Sequence, residues 1–141
     1  MQINLAIIGK YSYIGSNLIR DLKFKKKINL YSFSYENFKK IKNLNKFNFI
    51  LNTAIKKNYK YKKYNKTYDI DYEISKFSKK NNCKQILLST RKIYPNKPNL
   101  KESSKVKPQD RYSKNKLISE KNCFKIKKKN LLILRIPNVI G

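Results

Sequence analysis

Residues Ile3-Asn4-Leu5-Ala6-Ile7-Ile8-Gly9-Lys10-Tyr11-Ser12-Tyr13-Ile14-Gly15-Ser16-Asn17-Leu18-Ile19 carry the reading on which the fold turns. Only three glycines occur in the 141 residues, and two of them stand here, six apart, directly after the first apolar run. Ile3–Ile8 reads as a strand. The apolar spacing of Ile14, Leu18, Ile19 and Leu22 then opens a helix over Ile14–Leu22. A strand, a glycine turn and a helix in that order aim backbone N–H groups and a helix dipole at one point, where a pyrophosphate can sit. Gly9 supplies the tight turn, and Gly15 lets helix and strand pack closely. Ser12 stands at the middle place of a Gly-x-x-Gly-x-x-Gly spacing, where a small side chain permits close approach less easily than glycine.

Outward from that stretch the chain alternates. Ile28–Phe33 reads as a strand, Glu36–Leu44 as a short helix with Phe38 and Ile41 on one side, and Phe47–Leu51 as a buried strand. Tyr59–Asn65 reads as loop or helix start. Tyr68–Lys80 has Ile70, Ile74 and Phe77 at helical spacing, and Ile86–Ser89 is a further strand. Arg91–Asp110 holds Pro95, Pro98 and Pro108 and reads as a loop. Arg111–Lys128 is a helix, and Leu131–Ile136 a last strand stopped by Pro137. Strands alternating with helices imply a parallel sheet with right-handed crossovers. The expected fold is α/β, a doubly wound, Rossmann-like parallel sheet in one domain spanning residues 1–141. Between Phe33 and Phe47 there is hardly room for a further strand, so the third strand of the usual order is expected to be vestigial or absent.

The formal net charge of +27 suggests a polyanion partner. The composition offers another explanation. Lys, Asn, Ile and Tyr number 31, 18, 18 and 11, whereas Ala occurs twice and His and Trp not at all. That is the residue set of A/T-rich codons, with lysine filling tolerant surface positions. The runs at Lys25–Lys27, Lys56–Lys66 and Lys125–Lys129 are spread along the chain and read as solvated faces. No specific nucleic acid is expected. Cys83 and Cys123 lack any CxxC spacing, and without histidine no metal site is expected. No apolar run reaches membrane-spanning length, and the first lacks a basic leader; the expected location is cytoplasmic, with no membrane partner.

Tyr112 and Lys116 stand four apart, on one face of the expected helix. A lysine ammonium beside a tyrosine stabilises the phenolate and lowers its pKa, so that the phenol can act as acid or base near neutral pH. The spacing alone is not specific: chance supplies about two such pairs in this composition, and the chain has four. Only Tyr112/Lys116 follows a strand ending in hydroxyl residues and a proline-rich loop.

That context carries a resemblance. Leu87-Leu88-Ser89-Thr90-Arg91-Lys92-Ile93-Tyr94 resembles the strand-end segment of the extended short-chain dehydrogenase/reductases, the NAD-dependent nucleotide-sugar epimerase and dehydratase group. Thr90 matches its hydroxyl position four before a tyrosine, and Pro95 replaces the glycine that normally follows. Pro108-Gln109-Asp110-Arg111-Tyr112-Ser113-Lys114-Asn115-Lys116-Leu117-Ile118-Ser119-Glu120 is similar to the group's proline, catalytic tyrosine, lysine and following glutamate. Leu132–Gly141 resembles the next strand, with Arg135, Asn138 and Gly141. Ile50-Leu51-Asn52-Thr53-Ala54 resembles the segment that passes over the cofactor. With the Gly9–Gly15 turn these are five matches in order, over essentially the whole chain.

The resemblance implies an NAD or NADP cofactor, with its pyrophosphate over Gly9, Ser12, Tyr13, Ile14 and Gly15 and with Asn52, Ala54 and Lys116 as further contacts. It implies Tyr112 as the acid/base on a sugar hydroxyl or carbonyl, Lys116 as the holder of the nicotinamide ribose, and Thr90 as a hydrogen-bond partner of the reacting oxygen. A strand-end hydroxyl capping a backbone group is the plainer reading of Thr90. Ser32 and Ser34 lie where an acidic residue would select the ribose of NAD, which leaves NAD and NADP open. Arg91-Lys92 replaces the acidic pair of the 4,6-dehydratases, leaving epimerase or ketoreductase, an isomerase or an oxidoreductase. Members of the group are much longer than a domain of this size. The expectation is a cofactor domain without its substrate domain, binding a nucleotide sugar and pairing with a second copy or a separately encoded C-terminal half. Two alternatives remain: a non-catalytic or degenerate remnant of the same fold, and a basic nucleic-acid-binding protein using lysines and tyrosines.

Overall fold

The computed structural model describes residues 1–41 and 46–138. Its sheet runs β1 (Ile3–Ile8), β2 (Ile28–Phe33), β3 (Phe49–Asn52), β4 (Lys84–Thr90) and β5 (Leu131–Ile136), with every described pairing parallel and the order β2-β1-β3-β4-β5. The helices are α1 (Tyr13–Leu22), α2 (Lys57–Tyr61), α3 (Ile70–Lys80) and α4 (Arg111–Ile126). This is the expected Rossmann-like α/β sheet, and among the described residues no strand lies outside β2.

β1 is an interior strand, and Ala6, Ile7 and Ile8 are fully buried on its two faces. On one face Ala6, Ile8, Ile50, Ile70, Ile74 and Cys83 form the core. The helices α1, α3 and α4 each begin where a side chain satisfies a free N–H. Asp69 Oδ1 accepts from Tyr72 N at 3.1 Å, so α3 starts two residues later than the apolar spacing suggested. Asp110 and Ser113 form a reciprocal capping box that starts α4 at Arg111.

The structure departs from expectation at further points. The helix expected over Glu36–Leu44 is, among the described residues, a single 3-10 turn at Phe38–Lys40, closed by Ile41 in extended backbone (residues 42–44 lie outside the description). So short a segment cannot offset helix nucleation without a cap, and Asn37 supplies none. Phe47 precedes β3 instead of opening it, and its ring is buried in the core, edge-on to Tyr31 at 4.9 Å. Lys127, inside a run read as solvated, is buried at the end of α4, where its Nζ donates to Ser78 Oγ at 2.9 Å and to the Cys83 carbonyl. Burial lowers its pKa. The buried thiols of Cys83 and Cys123 are pushed up to about 11 and about 12, mainly by burial, as befits inert core residues. No described helix is long and apolar enough to cross a membrane.

Candidate active site

The glycine turn is held by hydroxyls. Gly9 has φ +92°, a conformation that L side chains rarely adopt. The N–H groups of Gly9 and Lys10 both donate to the Phe33 carbonyl, at 2.8 and 3.1 Å, which seats the turn on the end of β2. Thr53 Oγ1 donates to the carbonyls of Ile8 and Gly9, at 2.9 and 3.1 Å. With that single proton engaged, Ser12 is the donor in its 2.7 Å bond to Thr53 Oγ1. Ser12 Oγ also accepts from Gly15 N at 3.0 Å and so caps α1. The serine at the middle glycine place is thus a cap and a tie to β3. A Cβ on Gly15 would lie 2.2 Å from the Gly9 carbonyl oxygen, so close packing there requires glycine. The N–H groups of Tyr13 and Ile14 have no hydrogen-bond partner among the described residues. Two free donors at the positive end of a ten-residue helix suit an anionic oxygen.

Beside α1, the C-terminal ends of β3, β4 and β5 and the start of α4 enclose a cleft of about 520 Å³. Ile14, Asn52, Ala54, Thr90, Tyr112 and Lys116 all line it. Gly9, Ser12, Tyr13 and Gly15 do not; they build the turn from which Ile14 reaches the cleft. Open α/β sheets take ligands at this end. Asn52 is bound within its own loop, accepting from Ala54 N at 2.9 Å and donating to Ala54 O at 3.0 Å. Thr90 Oγ1 accepts from Lys92 N at 3.2 Å, capping the following 3-10 turn. It caps a backbone group and borders the cleft at once.

Tyr112 and Lys116 share a face of α4, with Nζ 5.9 Å from the phenol ring centroid. The ammonium, however, pairs with a residue that sequence reading missed. Lys116 Nζ lies 3.2 Å from Asp71 Oδ2, and both side chains are only 3% exposed. Asn52 Nδ2 donates to the other Asp71 oxygen at 3.2 Å. Burial works to lower the Lys116 pKa, but Asp71 and Tyr112 outweigh it and hold the ammonium above its ordinary range. The expected lowering of the Tyr112 phenol is not found. Burial raises it, Lys116 pulls it down, and Asp71 and Asp110 push it up, with a net rise. The largest cause is burial, to which Asp71 adds by partly offsetting the Lys116 charge that favours the phenolate.

The other matched segments also meet. Arg135 Nε and Nη2 donate to the two oxygens of Glu120 at 3.1 and 2.7 Å, and Arg135 Nη1 bonds the Tyr94 hydroxyl. Tyr94, Glu120 and Arg135 thus lock β5 and the proline-rich loop onto α4. Asp71 and Thr53 are the functional neighbours that sequence reasoning left out. A signal existed for Asp71, one of only eight acidic residues, within the apolar stripe of α3.

No family model and no curated protein sequence matches the chain. Solved structures do. The dTDP-4-dehydrorhamnose reductase of Yersinia enterocolitica superposes with a TM-score of 0.76 at 18% identity, covering 99% of this chain and 54% of that one. The chain has the Rossmann-like fold of that reductase. The Bacillus anthracis dTDP-4-dehydrorhamnose reductase, solved in complex with NADP, gives 0.76 at 15% identity over 97% of this chain and 54% of that one. The UDP-glucuronic acid 4-epimerase of Bacillus cereus, solved in complex with NAD, gives 0.71 at 18% identity over 99% and 58%. The chain spans little more than half the length of these solved structures.

Proposed function

We propose that this chain is the NAD(P)-binding part of a nucleotide-sugar epimerase or ketoreductase of the extended short-chain group. The carrying observation is that Thr90, Tyr112 and Lys116, from β4 and α4, border one cleft with Ile14 of the glycine-turn helix. The free N–H groups of Tyr13 and Ile14 would hold the pyrophosphate, and Lys116 the nicotinamide ribose. The bound nicotinamide would supply hydride exchange with a sugar carbon. Thr90 would hydrogen-bond the oxygen on that carbon, and the Tyr112 hydroxyl would give or take its proton. Lys116 pulls the Tyr112 phenol down even while paired with Asp71, and ribose hydroxyls that share the Asp71 carboxylate would strengthen that pull.

The Lys116–Asp71 pair also supports a second reading, a non-catalytic member of the fold that binds dinucleotide without turnover. Titration with reduced dinucleotide, followed by nicotinamide fluorescence at moderate salt, tests both. Saturable one-to-one binding, weakened by Lys116→Ala and kept by Tyr112→Phe, supports dinucleotide binding. Hydride transfer to a nucleotide sugar that Tyr112→Phe abolishes selects the enzyme. A linear response that salt removes overturns both readings.

A further inference from the structure

The short helix α2 gives Lys57 and Lys60 to the cleft, whereas its Tyr59, only 4% exposed, turns inward. There it meets the candidate catalytic face of α4. The Tyr59 ring centroid lies 5.5 Å from Lys116 Nζ and 6.3 Å from the Tyr112 ring centroid, with the two rings at 77°. Nζ is 5.9 Å from the Tyr112 ring, so the ammonium and two edge-packed rings form one compact cluster. Burial, with Asp69 and Asp71 nearby, holds the Tyr59 phenol above its ordinary range. The ring is therefore neutral and attracts the ammonium through its π face. The turn of α4 that carries Lys116 also holds α2 in place. Asn115, 1% exposed, donates from Nδ2 to the carbonyls of Tyr59 and Lys62, at 2.7 and 2.8 Å. From α3, Asp71 Oδ2 accepts from Nζ at 3.2 Å. The carboxylate directs one N–H, and the Tyr59 ring occupies space into which the lysine stem could otherwise swing. A stem fixed in advance gives up less rotamer freedom when a ligand binds.

We propose that Tyr59 is a positioning residue for Lys116: its ring, clamped to α4 through Asn115, holds the ammonium at the cleft without itself touching a ligand. The inference rests on the cofactor reading above, in which Lys116 meets the nicotinamide ribose. The whole chain is compared with Tyr59→Phe, which keeps the ring, and Tyr59→Leu, which removes it. Circular dichroism checks that each is folded. Should Tyr59→Leu not fold, Asn115→Ala, which releases α2, replaces it with the same expected effects. NMR of the ligand-free chain follows the ε-methylene of Lys116, identified by its loss in Lys116→Ala and shifted upfield by the ring currents of Tyr59 and Tyr112. NADPH and NADH are then titrated by nicotinamide fluorescence at moderate salt. Tyr59→Phe should keep both the upfield shift and the parental affinity. Tyr59→Leu should lose part of the shift and bind dinucleotide about tenfold more weakly. In a Lys116→Ala background Tyr59→Leu should weaken binding no further, because Tyr59 acts through Lys116. A Lys116 signal unmoved by Tyr59→Leu, parental affinity in that variant, or an equal loss in the Lys116→Ala background overturns the inference and leaves the cofactor reading intact. Failure of both dinucleotides to bind the parent chain overturns the cofactor reading itself.

Discussion

Lys116 and Asp71 form a buried ion pair, Nζ to Oδ2 3.2 Å, that ties α4 to α3 beneath the candidate nicotinamide position. Removing one member of such a pair leaves an uncompensated buried charge. Asp71→Ala should therefore cost about 3–5 kcal/mol, and the double variant Asp71→Leu/Lys116→Met much less than the two single losses added together. Urea denaturation of the four proteins measures this. Additive losses would show that the charges do not act as a pair.

Arg135 holds Glu120, itself only 4% exposed, through two parallel bonds. Arg135→Ala strands that carboxylate and should cost about 3 kcal/mol. Arg135→Lys keeps the charge without the fork and should fall between. Equal stability of the lysine variant and the parent would argue against the bidentate contact.

Asp110 gives a pH prediction with a definite sign. Burial works to raise its pKa, but the Ser113 N–H and hydroxyl and Lys92 together outweigh it, so the folded value lies below the usual carboxylate range. A depressed folded pKa contributes stability above the unfolded value, roughly 3.9, and that stability is lost as pH falls through the folded value. The side chain is 43% exposed, so screening keeps the ionic part small. Asp110→Ala should cost about 1 kcal/mol at neutral pH from the lost cap. Asp110→Asn should keep the cap and flatten the acid limb of the stability curve. An unchanged acid limb would remove Asp110 from the account.

Gly15→Ala sets a Cβ 2.2 Å from the Gly9 carbonyl and 2.6 Å from Thr53 Oγ1. The substitution should destabilise the chain by about 1–3 kcal/mol through overpacking and weaken dinucleotide binding at the distorted turn. Parental stability in a thermal melt would mean that the turn is looser than described.

The alternation of short apolar strands with amphipathic helices made the sheet legible, because period 2 and period 3.6 survive a lysine-rich composition. The glycine turn was legible because Gly9 and Gly15 are nearly the only glycines in the chain. The start of α3 was not, since Asp69 marks it by a side-chain cap that apolar spacing does not encode. Lys127 and Lys116 were equally opaque, because a buried lysine and a solvated one have the same letter. Only the partners in space, Ser78 with the Cys83 carbonyl and Asp71, distinguish them. The phenol of Tyr112 was misjudged for a related reason: its neighbour in sequence, Lys116, lowers its pKa, but burial, with the carboxylates near it in space, raises it by more.

The most direct test of the account is amide chemical-shift mapping of the labelled chain as NADP+ or NAD+ is added. The expected result is saturable shifts of the Tyr13 and Ile14 amides at the start of α1, together with Thr90, Tyr112 and Lys116 around the cleft. Shifts scattered over the lysine-rich surface, with Tyr13 and Ile14 unmoved, would contradict it.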